Sequence, residues 1–73
     1  TELWNKGRLD AAAAHYRTAI RLDPLYATAH NDLGCVLRDK GEPDRAVQWF
    51  RAAIRINPRY AHPYRNLGLV LLQ

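Results

Sequence analysis

Histidine and cysteine are the side chains of this sequence that could act as nucleophile, general base or metal ligand. The histidines are His15, His30 and His62, and the one cysteine is Cys35. A cysteine nucleophile needs a histidine within hydrogen-bond reach, and a metal site needs several ligands brought together. The histidines fall on three different predicted helices, and no cluster of Asp, Glu and His has ligand spacing. We therefore expect no catalysis, metal or cofactor, with His30 as a partly buried core residue and Cys35 as a small apolar filler.

The basic residues, most of them arginines, are the second group of side chains that could recognise a partner. Eleven Lys and Arg residues against seven Asp and Glu residues give a net charge of +4 and a pI near 9.7. This balance is compatible with an acidic or nucleic-acid partner. RNA-reading helical repeats, however, keep a pair of base-reading residues in every unit. In this sequence the equivalent positions, which lie 34 residues apart, hold Asn31 and Asp32 in one case and Arg65 and Asn66 in the other. A nucleic-acid partner is therefore disfavoured.

Length and composition limit the chain to one small domain. It has 73 residues, of which 48% are apolar and 25% are charged, which is typical of a globular protein. No apolar run approaches the roughly 20 residues that span a bilayer, so no membrane segment is expected. A single Cys35 excludes an internal disulfide and fits a reducing compartment, so the cytoplasm is the expected location.

A period of 34 residues organises these side chains. Sixteen of the 39 residue pairs that a shift of 34 can compare are identical. A repeat array buries its core between neighbouring units and presents one long surface to a partner, so the period itself favours a binding function. The identical pairs include the residues that shape the backbone: Gly7 and Gly41, Pro24 and Pro58, and Gly34 and Gly68.

Each period contains the signals of two helices. A first helix is predicted from Ala27 to Lys40, because apolar residues recur there at helical spacing and Gly41 follows. Pro43, with acidic residues on either side, marks the start of a second helix that ends at Ile56. No segment alternates with a period of two, so the predicted fold class is all-α. Residues 27–60 form one complete unit, residues 1–26 contain the end of a first helix (1–6) and a second helix (10–22), and residues 61–73 begin a further unit.

These residues resemble the tetratricopeptide repeat, whose 34-residue pattern is W-x2-L-G-x2-Y, then A-x3-F, then A, then P. The resemblance covers the whole chain and implies a right-handed superhelix of helical hairpins whose concave face is lined by the first helix of each hairpin. It departs from the pattern at His30, which replaces tryptophan, and at leucines that replace tyrosine. The central unit matches at Leu33, Gly34, Ala46, Phe50, Ala53 and Pro58.

The resemblance assigns these motif residues a structural role and places the arginines of the second helices on the outer face, where they are solvated. Candidate binding residues are then the polar side chains on the inner face of the first helices. Members that grip an acidic chaperone tail have lysine and asparagine on this face, and the equivalent positions here do not keep that pair. The candidates for binding a partner are Asn31, Asp32, Arg38, Asp39, His62, Arg65 and Asn66.

We therefore expect a non-catalytic scaffold that binds a protein or an extended peptide on its concave face. The alternative is the substrate-presenting array of a larger enzyme, such as a protein N-acetylglucosamine glycosyltransferase, in which asparagines line the inner face. Asn66 fits that alternative, whereas Asp32 does not. Because the last helix carries Leu67, Leu69 and Leu71 with no second helix to cover them, we also expect self-association or docking on a neighbouring protein.

Overall fold

A computed structural model describes residues 2–72, with side chains described for residues 7–72. Each helix packs against the next one along the chain, and the second also contacts the fourth. The described residues contain no strand, so the predicted all-α array of helical hairpins is confirmed. The superhelical handedness and the boundaries of the three repeat units stay predictions. The helices are α1 (Glu2–Leu22), α2 (Ala27–Asp39), α3 (Pro43–Ile56) and α4 (Ala61–Leu71).

The turn between α2 and α3 is closed by a glycine in the left-handed region. Gly41 has a φ of 84°, which residues with a Cβ rarely adopt. Its N–H donates to the carbonyl of Arg38 at 3.0 Å, and the N–H of Glu42 donates to the carbonyl of Leu37 at 2.9 Å. This pair of bonds is a Schellman motif, which satisfies the last carbonyls of α2. Pro43 then begins α3, where its fixed φ suits the first helical turn.

The connections that follow α1 and α3 are built from the same hydrogen bonds. Asp23 Oδ1 accepts from the N–H of Leu25 at 3.2 Å, and Asn57 Oδ1 accepts from the N–H of Arg59 at 3.2 Å. These Asx turns explain how an Asp and an Asn can occupy one repeat position, because both side chains offer the same oxygen.

In each of these connections, a proline carbonyl oxygen also contacts a side chain of the helix that follows. His30 Nε2 lies 2.9 Å from the carbonyl oxygen of Pro24, and the Tyr64 hydroxyl donates to that of Pro58 at 3.0 Å. The His30 ring also lies 5.5 Å from the ring of Trp49 and is only 7% exposed. The expectation that His30 is a core residue is confirmed.

The core lies between α2 and α3, where Phe50 packs on Gly34. Phe50 is fully buried, and its ring fills the space that a side chain at Gly34 would need. Burying an aromatic ring of this size removes a large apolar surface from water. The expected burial of Phe50 is therefore confirmed, and Val70 of α4 closes the same cluster from the other side. The other members of the cluster are Ala13, Leu33, Val36, Leu37 and Ala46.

The expected break between a first helix at residues 1–6 and a second helix at 10–22 is wrong. The chain runs as one helix through Gly7, which does not adopt a positive φ. The reason lies in the next two residues. Where the later turn has Glu42 and Pro43, this segment has Arg8 and Leu9, which are good helix formers. Only proline would have disrupted a preceding helical turn, since its ring clashes with the carbonyl four residues earlier.

Candidate partner-binding surface

The first helices α2 and α4 meet through a pair of asparagine side chains. Asn66 Nδ2 donates to Asn31 Oδ1 at 2.9 Å, which joins residues of two successive repeat units. The same nitrogen lies 3.3 Å from the Sγ of Cys35, and Asn31 Nδ2 donates to Asp32 Oδ1 at 3.3 Å. Both amide hydrogens of Asn66 are thus directed at α2. We call the surface on which α2 and α4 present their polar residues the inner surface.

Asn31 differs from the expectation of an exposed, ligand-facing amide. It is only 4% exposed, and its oxygen and nitrogen both have partners within the chain. A buried amide with satisfied hydrogen bonds orients its neighbours, and it has little left to offer a ligand. Asn66 is different, because it is half-exposed and no described group donates to its Oδ1. That oxygen remains an acceptor at the surface.

Arg38 and Asp39 lie at the other end of α2, about two helical turns from Asn31. Arg38 Nε is 3.6 Å from Asp39 Oδ1, and both side chains are partly exposed. An ion pair of this kind contributes little to stability, so it can be exchanged for contacts with a ligand at small cost. Asp32, on the same helix, is half-buried and uses one carboxylate oxygen for Asn31.

His62 and Arg65 lie one turn apart on the first half of α4, and both are exposed. The His62 ring contacts the Tyr60 ring edge-on, with centroids 5.3 Å apart. No described acidic side chain pairs with Arg65. A guanidinium without an internal partner keeps all its donors for a carboxylate, which it can hold with two parallel hydrogen bonds.

Cys35 lies beside this network as a protonated thiol. Burial raises the pKa of the Cys35 thiol, Arg38 acts against that increase, and the carboxylates of Asp32 and Asp39 add to it. A raised pKa keeps the sulfur protonated at neutral pH, which is unfavourable for nucleophilic chemistry. The expected filler therefore has a further role that its sequence position did not suggest, since its sulfur also accepts a hydrogen bond from Asn66.

The structure brings the seven candidate residues together only in part. Asn31, Asp32 and Asn66 form one hydrogen-bonded cluster, whereas Arg38 and Asp39 are separate from it on α2 and His62 and Arg65 are exposed on α4. Sequence reasoning missed the Asn31–Asn66 bond, because it depends on how α2 and α4 are offset. Asn66 is the repeat equivalent of Asp32, so the bond joins neighbouring positions of the repeat rather than identical ones.

The outer arginines lie on α1, on α3 or, for Arg59, in the connection that follows α3. All are exposed, and within the described residues only Arg45 has an acidic partner, Glu42 at 3.3 Å. Arg21 and Arg55 lie in the last turns of α1 and α3, where a cation complements the helix dipole. The other exposed arginines of this group are Arg17, Arg51 and Arg59.

Neither metal binding nor membrane insertion has support in the described part of the chain. No group of three or more His, Cys, Asp or Glu side chains there could hold a metal ion. None of α1 to α4 combines the length and hydrophobicity that a membrane span requires.

The fold and its repeated contacts define a helical-hairpin repeat protein. A model of the tetratricopeptide repeat family matches residues 1–61, and the chain belongs to this family. No curated relative matches the chain significantly. Repeats of this family generally mediate protein–protein interaction and typically act as non-catalytic scaffolds. The match covers repeat units alone and gives no support to the alternative of a glycosyltransferase array.

Proposed function

We propose that this chain is a non-catalytic binding module that holds an extended peptide segment of a protein partner on its inner surface. The observation that carries the proposal is the orientation of Asn66. Its Nδ2 is occupied by Asn31 and Cys35, so the amide is fixed and its Oδ1 is left as an acceptor. A preorganised acceptor suits the unpaired N–H groups of an extended peptide, and fixing it beforehand reduces the entropy lost on binding.

Arg65 supplies the second contact in this proposal. It immediately precedes Asn66 on α4, is exposed, and has no acidic partner among the described residues. It would hold a carboxylate of the ligand, either a side chain or a chain terminus. His62, one turn earlier, would pack beside the ligand with its ring supported by Tyr60.

The α2 side of the surface favours a ligand of mixed charge. Asp32 and Asp39 offer carboxylates, whereas Arg38 offers a guanidinium, so neither a purely acidic nor a purely basic segment would be complementary throughout. Asn31 enters this proposal as a positioning residue, because burial keeps its amide away from a ligand and its oxygen holds Asn66 in place.

Random peptides displayed on phage can be selected on the immobilised chain, and the selected peptides then titrated in solution by fluorescence anisotropy at low protein concentration. Arg65→Ala and Asn66→Ala should each weaken binding at least about fivefold, which corresponds to ~1 kcal/mol. Arg65→Lys should recover only part of the loss, because lysine keeps the charge but not the bidentate geometry.

Arg51→Ala and Arg55→Ala are the matched controls, since they remove exposed arginines from the outer face and should leave binding unchanged. Circular dichroism on every variant checks that the helices are intact. Failure to select any peptide would contradict the proposal. Loss of binding in the outer variants, with unchanged binding in the inner variants, would also contradict the proposal. A steep fall of that outer-face affinity with salt would point to a polyanion as the ligand instead.

A further inference from the structure

We propose that the arginines at one end of the helix array bind a protein segment in which acidic and apolar residues are mixed. The surface belongs to α1, α3 and their connections, whereas the inner surface belongs to α2 and α4, so the proposal does not depend on peptide binding there. It rests on the distribution of ion pairs, on the exposure of repeat-equivalent arginines, and on an exposed leucine at the same end. We call this surface the basic edge, and its arginines are Arg17, Arg21, Arg51, Arg55 and Arg59.

The direction of the helices places these arginines at one end of the array. Consecutive helices pack against each other and are joined by short connections, so they run antiparallel. α1 and α3 therefore end on the same side. Arg17 and Arg21 lie in the last two turns of α1, and the equivalent Arg51 and Arg55 lie in the last two turns of α3. Arg59 lies in the connection that follows α3.

Charge pairing differs between the two ends of the array. At the end that contains the α2–α3 turn, Lys40 Nζ lies 2.6 Å from Asp10 Oδ1, and Arg45 Nη1 lies 3.3 Å from Glu42 Oε1. At the basic edge, no described acidic side chain pairs with any of the arginines. Asp23, the acidic residue of the α1–α2 connection, uses its Oδ1 to close an Asx turn. Unpaired positive charge is therefore concentrated at this end, where it would attract an acidic ligand.

The exposure of the basic edge is a property of the complete repeat unit. α3 has a helix packed on either side, α2 and α4, and both Arg51 and Arg55 are exposed in spite of these contacts. Arg59, directly after α3, is exposed as well. Arg17 and Arg21 occupy the same repeat positions as Arg51 and Arg55. Their exposure therefore follows from their place in the repeat.

Leu25 adds an apolar contact to the same end of the array. It lies in the α1–α2 connection, is 74% exposed, and is the repeat equivalent of the exposed Arg59. It follows Arg21 by four residues, as Arg59 follows Arg55. A single exposed leucine is normal on a protein surface, but its position beside unpaired arginines bears on the kind of anion that fits. A ligand that meets both groups needs carboxylates and apolar side chains together.

This combination favours a protein segment over a nucleic acid. Arginine holds a carboxylate with two parallel hydrogen bonds, and neighbouring arginines on a helix face have Cβ atoms about 6 Å apart. Side chains on one face of an extended segment recur about every 7 Å, so acidic residues at alternate positions match that separation. A phosphate backbone would also neutralise the arginines, but it would leave Leu25 in water.

A bilayer of anionic lipids is the weaker fit. Proteins commonly enter its interface with the apolar face of an amphipathic helix that lies flat on it. α1 and α3 reach the basic edge with their last turns, and Leu25 lies in a connection. The helices thus present their ends at this edge, and an acidic protein segment remains the ligand that the residues fit.

The probe for this proposal is a fluorescein-labelled peptide that repeats Glu-Ser-Glu-Ser-Leu-Ser and has both ends blocked. Its binding to the chain is measured by fluorescence anisotropy and should weaken as salt rises, since exposed charges are screened. Arg51→Gln and Arg55→Gln should each weaken binding about two- to fivefold, as expected for exposed charge pairs, and the double variant should weaken it further. Absence of binding to the parent chain would overturn the proposal.

Arg45→Glu is the matched control for net charge. It lowers the net charge by two, as the double variant Arg51→Gln with Arg55→Gln does, but it acts at the opposite end of the array. Glutamate is also tolerated in the first turn of α3, where it faces the positive end of the helix dipole. This variant should bind the probe nearly as the parent does. An equal loss in the control and the double variant, with all chains folded by circular dichroism, would mean that net charge alone governs binding and would overturn the basic edge as a site.

Leu25→Ser tests the apolar part of the ligand. The parent chain should prefer the leucine-containing probe to a matched peptide with serine in place of leucine by about threefold or more. Leu25→Ser should abolish this preference, because the probe's leucine then has no apolar partner at the edge. The substitution lies in an exposed connection, so the helices should stay intact. A preference that persists in this variant would overturn the assignment of Leu25 to the site.

Poly(U) RNA and vesicles containing phosphatidylserine provide the alternative ligands at the same salt concentration. Tighter binding of either one than of the probe would overturn the proposal in favour of a nucleic acid or a membrane. Asn66→Ala separates this surface from the inner one and should leave binding of the probe unchanged. Loss of probe binding in Asn66→Ala, with Arg51→Gln and Arg55→Gln silent, would overturn the basic edge while leaving the proposed function of the inner surface intact.

Discussion

The ring of Phe50 occupies the space in which a side chain on Gly34 would lie. A Cβ built on Gly34 would be 2.6 Å from Cε1 and 2.7 Å from Cδ1 of Phe50, closer than packed carbon atoms approach. Because Phe50 is fully buried, its ring cannot move away without disturbing the core. The absence of a side chain at Gly34 is therefore what allows α2 and α3 to lie as close as they do.

Gly34→Ala should lower the free energy of unfolding by ~1–3 kcal/mol, as overpacking of a core does. The substitution is otherwise favourable to a helix, so the sign of the change separates packing from propensity. Gly68→Ala is the control, because its Cβ would lie in open space. This substitution should raise the free energy of unfolding by up to ~1 kcal/mol, since alanine favours a helix more than glycine does. Urea unfolding followed by circular dichroism, at a concentration where the chain is monomeric, measures both. Equal stabilisation by the two substitutions would contradict the close contact.

Phe50→Ala should cost ~3–5 kcal/mol, the usual range for removing a buried aromatic ring. A chain of this size rarely has more than ~3–5 kcal/mol of stability in total, so the variant should be unfolded at room temperature. Tyr16→Ala provides the comparison, since the equivalent ring on α1 is only half-buried and should cost less. A thermal melt of the Phe50 variant that is cooperative and close to the parent's would be incompatible with the core as described.

The Asn31–Asn66 bond should appear as a coupling energy in a double-mutant cycle. Asn66→Ala leaves the oxygen of the buried Asn31 without its donor, which should cost ~1–3 kcal/mol. Asn31→Ala combined with Asn66→Ala should cost less than the sum of the single changes, with a coupling of ~0.5–1.5 kcal/mol. Denaturant unfolding of the four proteins provides the values. Strict additivity would mean that the two amides do not interact in solution.

Cys35 should be slow to alkylate and should make stability fall at alkaline pH. Burial raises the pKa of its thiol, so the folded chain holds this proton at pH values where the unfolded chain has lost it. The resulting stabilisation is fully present below the ordinary pKa of a thiol, which the unfolded chain has, and is lost as pH rises through the raised pKa of the folded chain. Above the ordinary pKa of a thiol, the free energy of unfolding of the parent should therefore decrease relative to that of Cys35→Ala. Iodoacetamide should react more slowly with the folded chain than with the chain in urea, and equal rates would contradict the assignment.

Part of this structure could be predicted from sequence because its determinants are local. Gly41 and Pro43 mark the end of α2 and the start of α3, and both act through the backbone angles of their own residues. The segment at Gly7 shows the limit of this reasoning. It shares glycine with the later turn but lacks the proline, and a glycine permits a turn without requiring one. The helix therefore continues through Gly7, because each added residue gains a backbone hydrogen bond.

The candidate site was harder to predict because its determinants are not local. Arg65 could be identified as an exposed side chain from the helical pattern. The burial of Asn31 could not, since it depends on the offset between α2 and α4, which is set by packing around Phe50 and Val70. The period of 34 residues predicts which positions of the repeat units are equivalent, but it does not predict which positions of neighbouring units are in contact.

The paired contacts of His30 with Pro24 and of Tyr64 with Pro58 have a consequence for the geometry of a longer array. Each fastens a helix to the connection before it, so the rotation from one hairpin to the next is fixed locally at every step. Pitch and curvature of a solenoid accumulate from such small rotations. A change in one of these contacts would bend the array at that step and displace every later unit as a rigid group, while the core of each hairpin kept its packing. Curvature and unit stability can therefore vary independently in this architecture.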